Sequence, residues 1–187
     1  MKLYFIIIAA ANIIIDFFNI FFGTDVWYAV ILWTTLCTFA AFTIDLLLAI
    51  LIRWLPENAF SPEKRIFTIF NFEKTFYEKM GIKKYKDRVP ELGKFSGLSK
   101  RRIESPKSPE YVFRYMRECC YGEVIHFTSV LIGFAAMFCC PAALWLSVGL
   151  PVVIVNALLC YLPFTVLRYN RKKLSAIYLM LKRKIAL

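Results

Sequence analysis

The stretch VIHFTSVLIGFAAMFCCPAALWLSVGLPVVIVNALLCYLPFTVL, residues 124–167, contains no Lys, Arg, Asp or Glu. One membrane-spanning helix needs about 20 mostly apolar residues, so this stretch is long enough for two spans. Cys140-Pro141, or the segment SVGLP at residues 147–151, could form the turn between them. The stretch therefore predicts two spanning helices, the second of which returns to the leaflet from which the first one started.

Two more apolar runs lie near the N-terminus, at residues 3–22 and 26–52. The first run is long for a signal peptide and no small-residue cleavage site follows it cleanly, so we expect a retained helix. The sequence thus predicts an all-α, polytopic membrane protein that forms a single membrane domain over residues 1–187. Its four transmembrane helices are expected at about residues 3–22, 26–52, 120–140 and 148–167.

The chain is 59% hydrophobic and yet carries a formal net charge of +11. Most of the Lys and Arg residues lie in residues 53–121 and 168–187, whereas the predicted short turns have none. Because positive residues stay on the cytoplasmic side of a membrane, both termini and the loop 53–119 are predicted to be cytoplasmic. The basic residues are expected to contact anionic membrane lipid, at about 1 kcal/mol each near the surface. Nucleic acid is not an expected partner for so apolar a chain.

The six cysteines do not form the spacing pattern of a disulfide framework or of a metal site. Most of them lie in or at the ends of the predicted spans, and Cys119 and Cys120 are predicted to face the reducing cytoplasm. We therefore expect no structural disulfide, no bound metal and no resident cofactor.

The predicted cytoplasmic segments contain further helices. The run IFTIFNFEKTFYEKM, residues 66–80, has apolar residues roughly on one helical stripe, which predicts an interfacial amphipathic helix that ends at Gly81. A loop over residues 81–103 is expected to fold against the membrane-side mouth of the protein. Ser108 followed by Pro109 predicts a helix start, and that helix could continue into the third span. Residues 168–187 predict a C-terminal amphipathic helix.

Ionisable side chains cluster where the third predicted span begins. Glu123 and His126 are three residues apart and share a helix face, and Glu118 lies close to the same stripe. If the fourth span returns to the same leaflet, it brings Arg168, Asn170 and Arg171 to a similar depth. Ionisable groups are costly within a membrane, so such a cluster predicts function.

The residue types in this cluster suit acid–base chemistry. Histidine exchanges a proton near neutral pH, and Glu123 could orient its ring, so that the pair would activate a substrate hydroxyl. Arg168 and Arg171 could hold a phosphate-bearing donor. A purely structural alternative stays open, in which Glu123 pairs with Arg168 and His126 bonds a backbone carbonyl. Asp16 and Asp45, within the first two spans, are open between packing and function.

Three segments of the chain resemble the sequence blocks of one bacterial family, the glycosyl-4,4'-diaponeurosporenoate acyltransferases of carotenoid (staphyloxanthin-type) biosynthesis. The segments are NFEKTFYEKMGIKKYKD at 71–87, ECCYGEVIHF at 118–127 and NALLCYLPFTVLRYNRKKL at 156–174. The resemblance covers about residues 70–175. It departs from the family at Tyr85 and Phe127, where tryptophan is expected, and at Leu167, where a polar glutamine is expected.

The resemblance implies acyl transfer from a thioester donor to a sugar hydroxyl. We therefore expect a membrane-embedded acyltransferase with acyl-CoA as co-substrate and a lipid-phase hydroxyl, on a glycolipid or another lipid, as acceptor. The expected catalytic residues are His126, Glu123, Glu118 and Asn170. The expected donor-binding residues are Lys83, Lys84, Lys86, Arg168, Tyr169 and Arg171.

Two other classes of function stay open at the level of the sequence. One is a membrane methyltransferase that uses S-adenosylmethionine, because a small helical membrane protein with a basic C-terminal Arg-Asn cluster could bind that cofactor. The other is a non-catalytic scaffold subunit, in which the polar cluster is an ion-pair lock. The sequence does not decide the acyl chain length or whether the chain forms a homo-oligomer.

Overall fold

A computed structural model describes residues 2–23, 25–89 and 105–185 of this protein. The described residues form helices and turns, with no strand among them. The α-helices are α1 (Lys2–Phe22), α2 (Trp27–Arg53), α3 (Asn71–Lys79), α4 (Ile82–Tyr85), α5 (Pro109–Ile132) and α6 (Leu150–Ile185). Short 3₁₀ turns at Glu57–Phe60, Arg65–Phe67, Gly133–Cys139 and Ala142–Leu144, and a π-turn at Trp145–Gly149, connect them.

Four helices in the described part of the chain are long and apolar enough to cross a membrane, which confirms the predicted fold class. They are Lys2–Phe22, Trp27–Arg53, Pro109–Cys139 and Ala142–Ile185. Large apolar side chains point outward from α1, and Ile13 and Phe21 are 67% and 69% exposed. Such an apolar outer surface suits contact with lipid. The orientation of the spans and the cytoplasmic termini stay predictions.

The chain divides into two compact units, and the first comprises residues 1–51 and 125–161. Its core contains Val30 and Cys37 from α2, packed with Cys140, Leu144 and Val148. A second group brings together the small residues Ala41 and Ala136, which lets helices approach closely. The Asn19 amide donates to the carbonyl oxygens of Ile15 and Ser147, at 2.8 and 2.9 Å. A buried polar group is thereby satisfied within an apolar unit.

The helix α6 runs without interruption through the predicted fourth span and the predicted C-terminal helix, and the membrane boundary expected between residues 167 and 168 stays a prediction. Pro163 lies inside α6 and has no N–H to donate to the carbonyl of Leu159, one turn earlier. The hydroxyl of Tyr4 donates to that carbonyl instead, at 3.4 Å. Because the freed carbonyl finds another donor, the helix continues past the proline.

The second unit comprises residues 52–124 and 162–187. The Ser108 hydroxyl accepts a hydrogen bond from the backbone N–H of Tyr111, at 3.2 Å, so α5 begins where the sequence predicts. Val112, Met116 and Cys119 of α5 pack against Leu174 of α6. A separate apolar cluster fastens α3 and α4 to α6. Its buried members are Tyr77, Ile82, Val89, Val166 and Tyr169.

The amphipathic helix predicted over residues 66–80 is shorter in the structure. Only residues 71–79 are α-helical, and Thr68 and Phe70 are extended, with ψ near 131° and 152°. Gly81, with φ of 77°, separates α3 from α4 in a conformation that favours glycine. The loop predicted over residues 81–103 therefore contains α4 at its start, whereas its residues 90–103 lie outside the described residues.

The buried ring of Phe60 is expected to stabilise the second unit. It stacks on the ring of Tyr121, with centroids 3.9 Å apart. We expect Phe60→Ala to lower the free energy of unfolding by about 3–5 kcal/mol, because it leaves a cavity. Phe72→Ala, the same change at a side chain that is 67% exposed, should lower it by less than about 1 kcal/mol. Reversible unfolding in mixed micelles measures both, and equal losses would contradict the packing account.

Candidate functional site

Two carboxylates and two guanidinium groups form a buried charged network in the second unit. Arg168 and Arg171 are three residues apart and share a face of α6. Arg168 donates two hydrogen bonds to Glu73 of α3, from Nε to Oε2 and from Nη2 to Oε1, each 2.7 Å long. Arg171 donates two hydrogen bonds to Glu123 of α5, from Nε to Oε1 at 2.6 Å and from Nη2 to Oε2 at 2.8 Å. Both are bidentate pairs, the strongest geometry for these groups.

The two pairs are joined, because Nη1 of Arg168 also donates to Oε2 of Glu123 at 3.3 Å. Arg171 and Glu123 are almost fully buried, with side chains 2% and 3% exposed. A buried charge is tolerated only when it is paired and hydrogen-bonded. The network therefore ties α3, α5 and α6 together through side chains whose charges compensate each other.

Cations of α6 also hold the extended segment before α3 by its carbonyl groups. Arg171 Nη1 donates to the carbonyl oxygen of Phe67 at 2.6 Å, and Arg168 Nη2 donates to that of Thr68 at 3.0 Å. Lys172 Nζ lies 3.4 Å from the carbonyl oxygen of Ile69. A helix over residues 66–70 would turn these carbonyls toward its own N–H groups. Their bonds to α6 explain why the helix predicted from residue 66 begins at residue 71.

A second layer of contacts fastens α3 and α4 to α6. The hydroxyl of Tyr169 donates to Glu78 Oε1 at 3.1 Å, and Lys83 Nζ lies 3.2 Å from the same oxygen. The hydroxyls of Tyr85 and Thr165 are 3.0 Å apart. The predicted donor-binding residue Tyr169 is thus a buried side chain that anchors the α3–α4 region.

These contacts change the pKa values of two carboxyl groups on α3, those of Glu73 and Glu78. Burial alone would raise the pKa of the Glu73 carboxyl, but hydrogen bonds from Arg168 and Phe70 N–H and the Arg168 charge outweigh it, so the pKa is lowered. Hydrogen bonds from Lys83 and Tyr169 lower the pKa of the exposed Glu78 carboxyl. Both groups therefore remain carboxylates at neutral pH.

The other predicted site residues have different surroundings. Glu118 forms a salt bridge with Arg53 at 2.7 Å. Asn170 is partly buried, and its amide makes no hydrogen bond within the described ranges. Lys83 and Lys84 are exposed at the surface and Lys86 is partly exposed. The roles of these residues as catalytic or donor-binding groups stay predictions.

His126 belongs to the first unit and follows Glu123 by one turn of the continuous helix α5. Its ring is partly exposed, and neither ring nitrogen has a hydrogen-bond partner in the part of the chain that the structure describes. Both oxygens of Glu123 are held by arginine side chains instead. The structural alternative for Glu123, pairing with Arg168, corresponds to one contact of the network, and Arg171 is its closer partner.

Sequence reasoning missed Glu73 and Arg53 as partners of the site. Glu73 appears in the sequence analysis only as part of the block at residues 71–87, which carries the family resemblance. Its one local signal is a carboxylate within the predicted amphipathic helix. No spacing rule links residue 73 to residue 168, because 95 positions separate them. Among the described residues no group of His, Cys, Asp and Glu could hold a metal ion.

The arginines of α6 and the lysines of α4 differ in how many of their nitrogen atoms already have hydrogen-bond partners. Every side-chain nitrogen of Arg168 and Arg171 already donates to a carboxylate or a carbonyl. The two guanidinium groups therefore position the surrounding backbone. Lys84 of α4 is exposed, and Lys83, which is also exposed, pairs with Glu78 at 3.2 Å.

Four apolar helices and a buried network of arginine and glutamate define a helical membrane protein with a polar centre in its second unit. The model of the glycosyl-4,4'-diaponeurosporenoate acyltransferase family matches residues 63–180. Because the match covers more than half of the chain, this chain belongs to that family, and it is an acyltransferase of carotenoid biosynthesis. Comparisons with curated proteins and with solved structures find no match.

The coupling between Glu123 and Arg171 can be measured with a double-mutant cycle. We expect Glu123→Gln and Arg171→Gln each to lower the free energy of unfolding by about 3–5 kcal/mol, because each leaves a buried charge without its partner. The double variant should lose less than the sum, with a coupling energy of about 1–3 kcal/mol. Unfolding in mixed micelles provides the four free energies.

The control cycle uses Glu63 and Lys182, whose charged atoms are 3.4 Å apart and whose side chains are 61% and 57% exposed. Their coupling should stay below about 1 kcal/mol. A coupling at Glu123 and Arg171 no larger than in this exposed pair would contradict a buried, mutually dependent network.

The lowered pKa of Glu73 predicts that the fold becomes less stable as the pH falls. A carboxyl whose folded pKa lies below its ordinary value of 4.5 stabilises the fold above that pH, and its contribution is lost as pH falls through the folded pKa. The midpoint of thermal unfolding should therefore fall between about pH 6 and about pH 3, and less steeply in Glu73→Gln than in the wild type. Glu63→Gln, at an exposed carboxyl, should keep the wild-type slope. Identical slopes in all three proteins would refute the assignment.

Proposed function

We propose that this enzyme transfers a fatty acyl group from acyl-CoA to a hydroxyl of a lipid-phase acceptor, such as a glycosylated carotenoid, with His126 as general base. The observation that carries the proposal is that the Glu123-x-x-His126 motif lies within the family match, on one unbroken helix. Neither ring nitrogen of His126 has a hydrogen-bond partner among residues 2–23, 25–89 and 105–185, and a neutral ring has a lone pair that can accept a proton.

In the proposed reaction, a ring nitrogen of His126 takes the proton of the acceptor hydroxyl. The hydroxyl oxygen attacks the thioester carbonyl carbon, the carbon–sulfur bond breaks, and the departing thiolate of coenzyme A takes the proton back from the imidazolium. The amide of Asn170, which has no partner within the described part of the chain, is suited to donate a hydrogen bond to the oxyanion that forms during the attack. Glu123 has a positioning role, since Arg171 holds it and it fixes α5 one turn before His126.

The donor is proposed to bind through lysines. Lys83 and Lys84 are exposed on α4 and the partly exposed Lys86 follows them, and the phosphates of coenzyme A would bind at this basic stretch, where a phosphate would replace Glu78 as the partner of Lys83. Arg168 and Arg171 support this region through their bonds to the carbonyls of Thr68 and Phe67. The basic character of the loop would also attract an anionic donor from the cytosol.

The test uses membranes that contain each variant, labelled acyl-CoA and glycosylated polyene acceptors. We expect His126→Ala to lower kcat by about 100-fold to 10,000-fold, the usual contribution of a general base. The matched control is Thr128→Val, at a hydroxyl on the same helix that bonds the carbonyl of Ile125, and it should keep nearly wild-type transfer. Lys83→Gln with Lys84→Gln should raise KM for acyl-CoA and leave kcat nearly unchanged.

Full transfer by a folded His126→Ala variant would remove His126 from the mechanism. Loss of transfer in Thr128→Val to the same extent would show that the assay reports the integrity of α5 and not a base. An unchanged KM in the lysine variant would place the donor phosphates elsewhere.

A further inference from the structure

The first unit contains a small, partly open cleft that nothing in the proposed chemistry uses. Helices α1, α2 and α6 form its walls, and most of its lining is apolar: Ile8, Ala41, Phe42, Val152, Val155 and Leu159. Three polar side chains also line it, namely Asn12 of α1, Thr38 of α2 and Asn156 of α6. All three lie well inside helices that are apolar enough to span a membrane. Polar groups are costly there, so their convergence from three helices calls for a partner.

Asn12 offers a hydrogen-bond donor to this cleft. Its Oδ1 accepts a hydrogen bond from the Thr38 hydroxyl at 3.2 Å, which fixes the orientation of the amide. Its Nδ2 has no partner within the described residues. An amide nitrogen carries two N–H groups, so Asn12 has donor capacity left over.

Asn156 offers an acceptor. A Cβ atom on Gly133 would lie 3.2 Å from Asn156 Nδ2 and 4.0 Å from Asp45 Oδ1, so the amide nitrogen and the carboxyl oxygen meet at the surface of that glycine. Both atoms are buried, the Asp45 carboxyl faces the Asn156 amide, and the other carboxyl oxygen of Asp45 accepts from the Cys160 thiol at 3.4 Å. An amide oxygen in the place of Nδ2 would face another oxygen, which favours the orientation observed. The carbonyl oxygen of Asn156 is then the atom left for the cleft.

We propose that this cleft binds a long apolar chain that carries a hydroxyl group, with Asn12 donating to that hydroxyl and Asn156 accepting from it. A hydroxyl is the group that both donates and accepts through one atom, and it matches one free donor and one free acceptor. The apolar walls accommodate the chain, and water is scarce at this depth to satisfy the two amides. The proposal does not rest on the acyl transfer proposed above, because binding can be measured without turnover.

The test uses the full-length protein in lipid nanodiscs and a photoreactive alkyl alcohol, with the corresponding alkane as its matched probe. The alcohol should label residues of α1, α2 and α6 that line the cleft, and hexadecanol should compete with it. Hexadecane should compete about threefold to tenfold less well, which corresponds to the loss of hydrogen bonds of the strength found within membranes.

Three variants separate the hydroxyl contact from the cleft itself. Asn12→Leu and Asn156→Leu should each weaken competition by hexadecanol about threefold to tenfold and leave hexadecane unaffected. Val155→Phe, a larger side chain at a partly exposed position of the lining, should reduce labelling by both probes. Thr35→Leu is the matched control, since this exposed hydroxyl of α2 bonds the carbonyl of Ile31, and it should bind as the wild type does.

Equal competition by the alcohol and the alkane in the wild type would overturn the hydroxyl contact. Unchanged labelling in Val155→Phe would overturn the cleft as the site. If an asparagine variant unfolds, as judged by circular dichroism and gel filtration, the comparison of the two probes on the wild type still decides the hydroxyl contact.

Discussion

The second unit depends on the burial of a full ion pair, Glu123 with Arg171. Two charges removed from water are tolerated only if the geometry is good and every remaining donor finds an acceptor. Arg171 meets this condition with two bonds to Glu123 and one to the carbonyl of Phe67. The guanidinium group is planar and rigid, so its acceptors must lie at fixed positions. The pair therefore dictates where α5 and the segment before α3 meet α6, and the network with Arg168 and Glu73 extends the same constraint to α3.

This constraint changes the roles of the basic residues. The run RYNR, residues 168–171, matches the family and has the composition of an anion-binding motif. In the structure its two arginines are saturated by carboxylates and carbonyls, and Tyr169 is bonded to Glu78. Asn170 alone in this run has a side chain without a partner among the described residues. One short segment thus combines three residues that hold the surrounding helices and backbone with one whose amide makes no hydrogen bond among the described residues.

The sequence predicts those parts of the fold that depend on local rules. Four apolar helices, the start of α5 at Pro109 and its continuation into the third span all follow from composition and from the Ser108 cap. The parts that were not predicted depend on distant partners. Pro163 does not end α6 because the Tyr4 hydroxyl, 155 positions from Leu159, satisfies the freed carbonyl. The segment before α3 is extended because cations of α6 take its carbonyls. Glu73 was missed because its importance comes from Arg168, which no periodicity in the sequence connects to it.

The buried polar groups of the two units differ in how they are paired. In the second unit, the carboxylates and guanidiniums of the network are satisfied within the protein, and their arrangement explains how the fold is held together. In the first unit, Asp16, Asp45 and Asn156 place buried polar atoms among apolar helices, and the Asp45 carboxyl faces the Asn156 amide and accepts from the Cys160 thiol. Such atoms destabilise a protein in lipid more than in water, since no solvent completes their bonds. Stability alone would favour apolar residues at these positions. The hydroxyl ligand proposed for Asn12 and Asn156 would supply hydrogen bonds to two of the polar side chains of this unit.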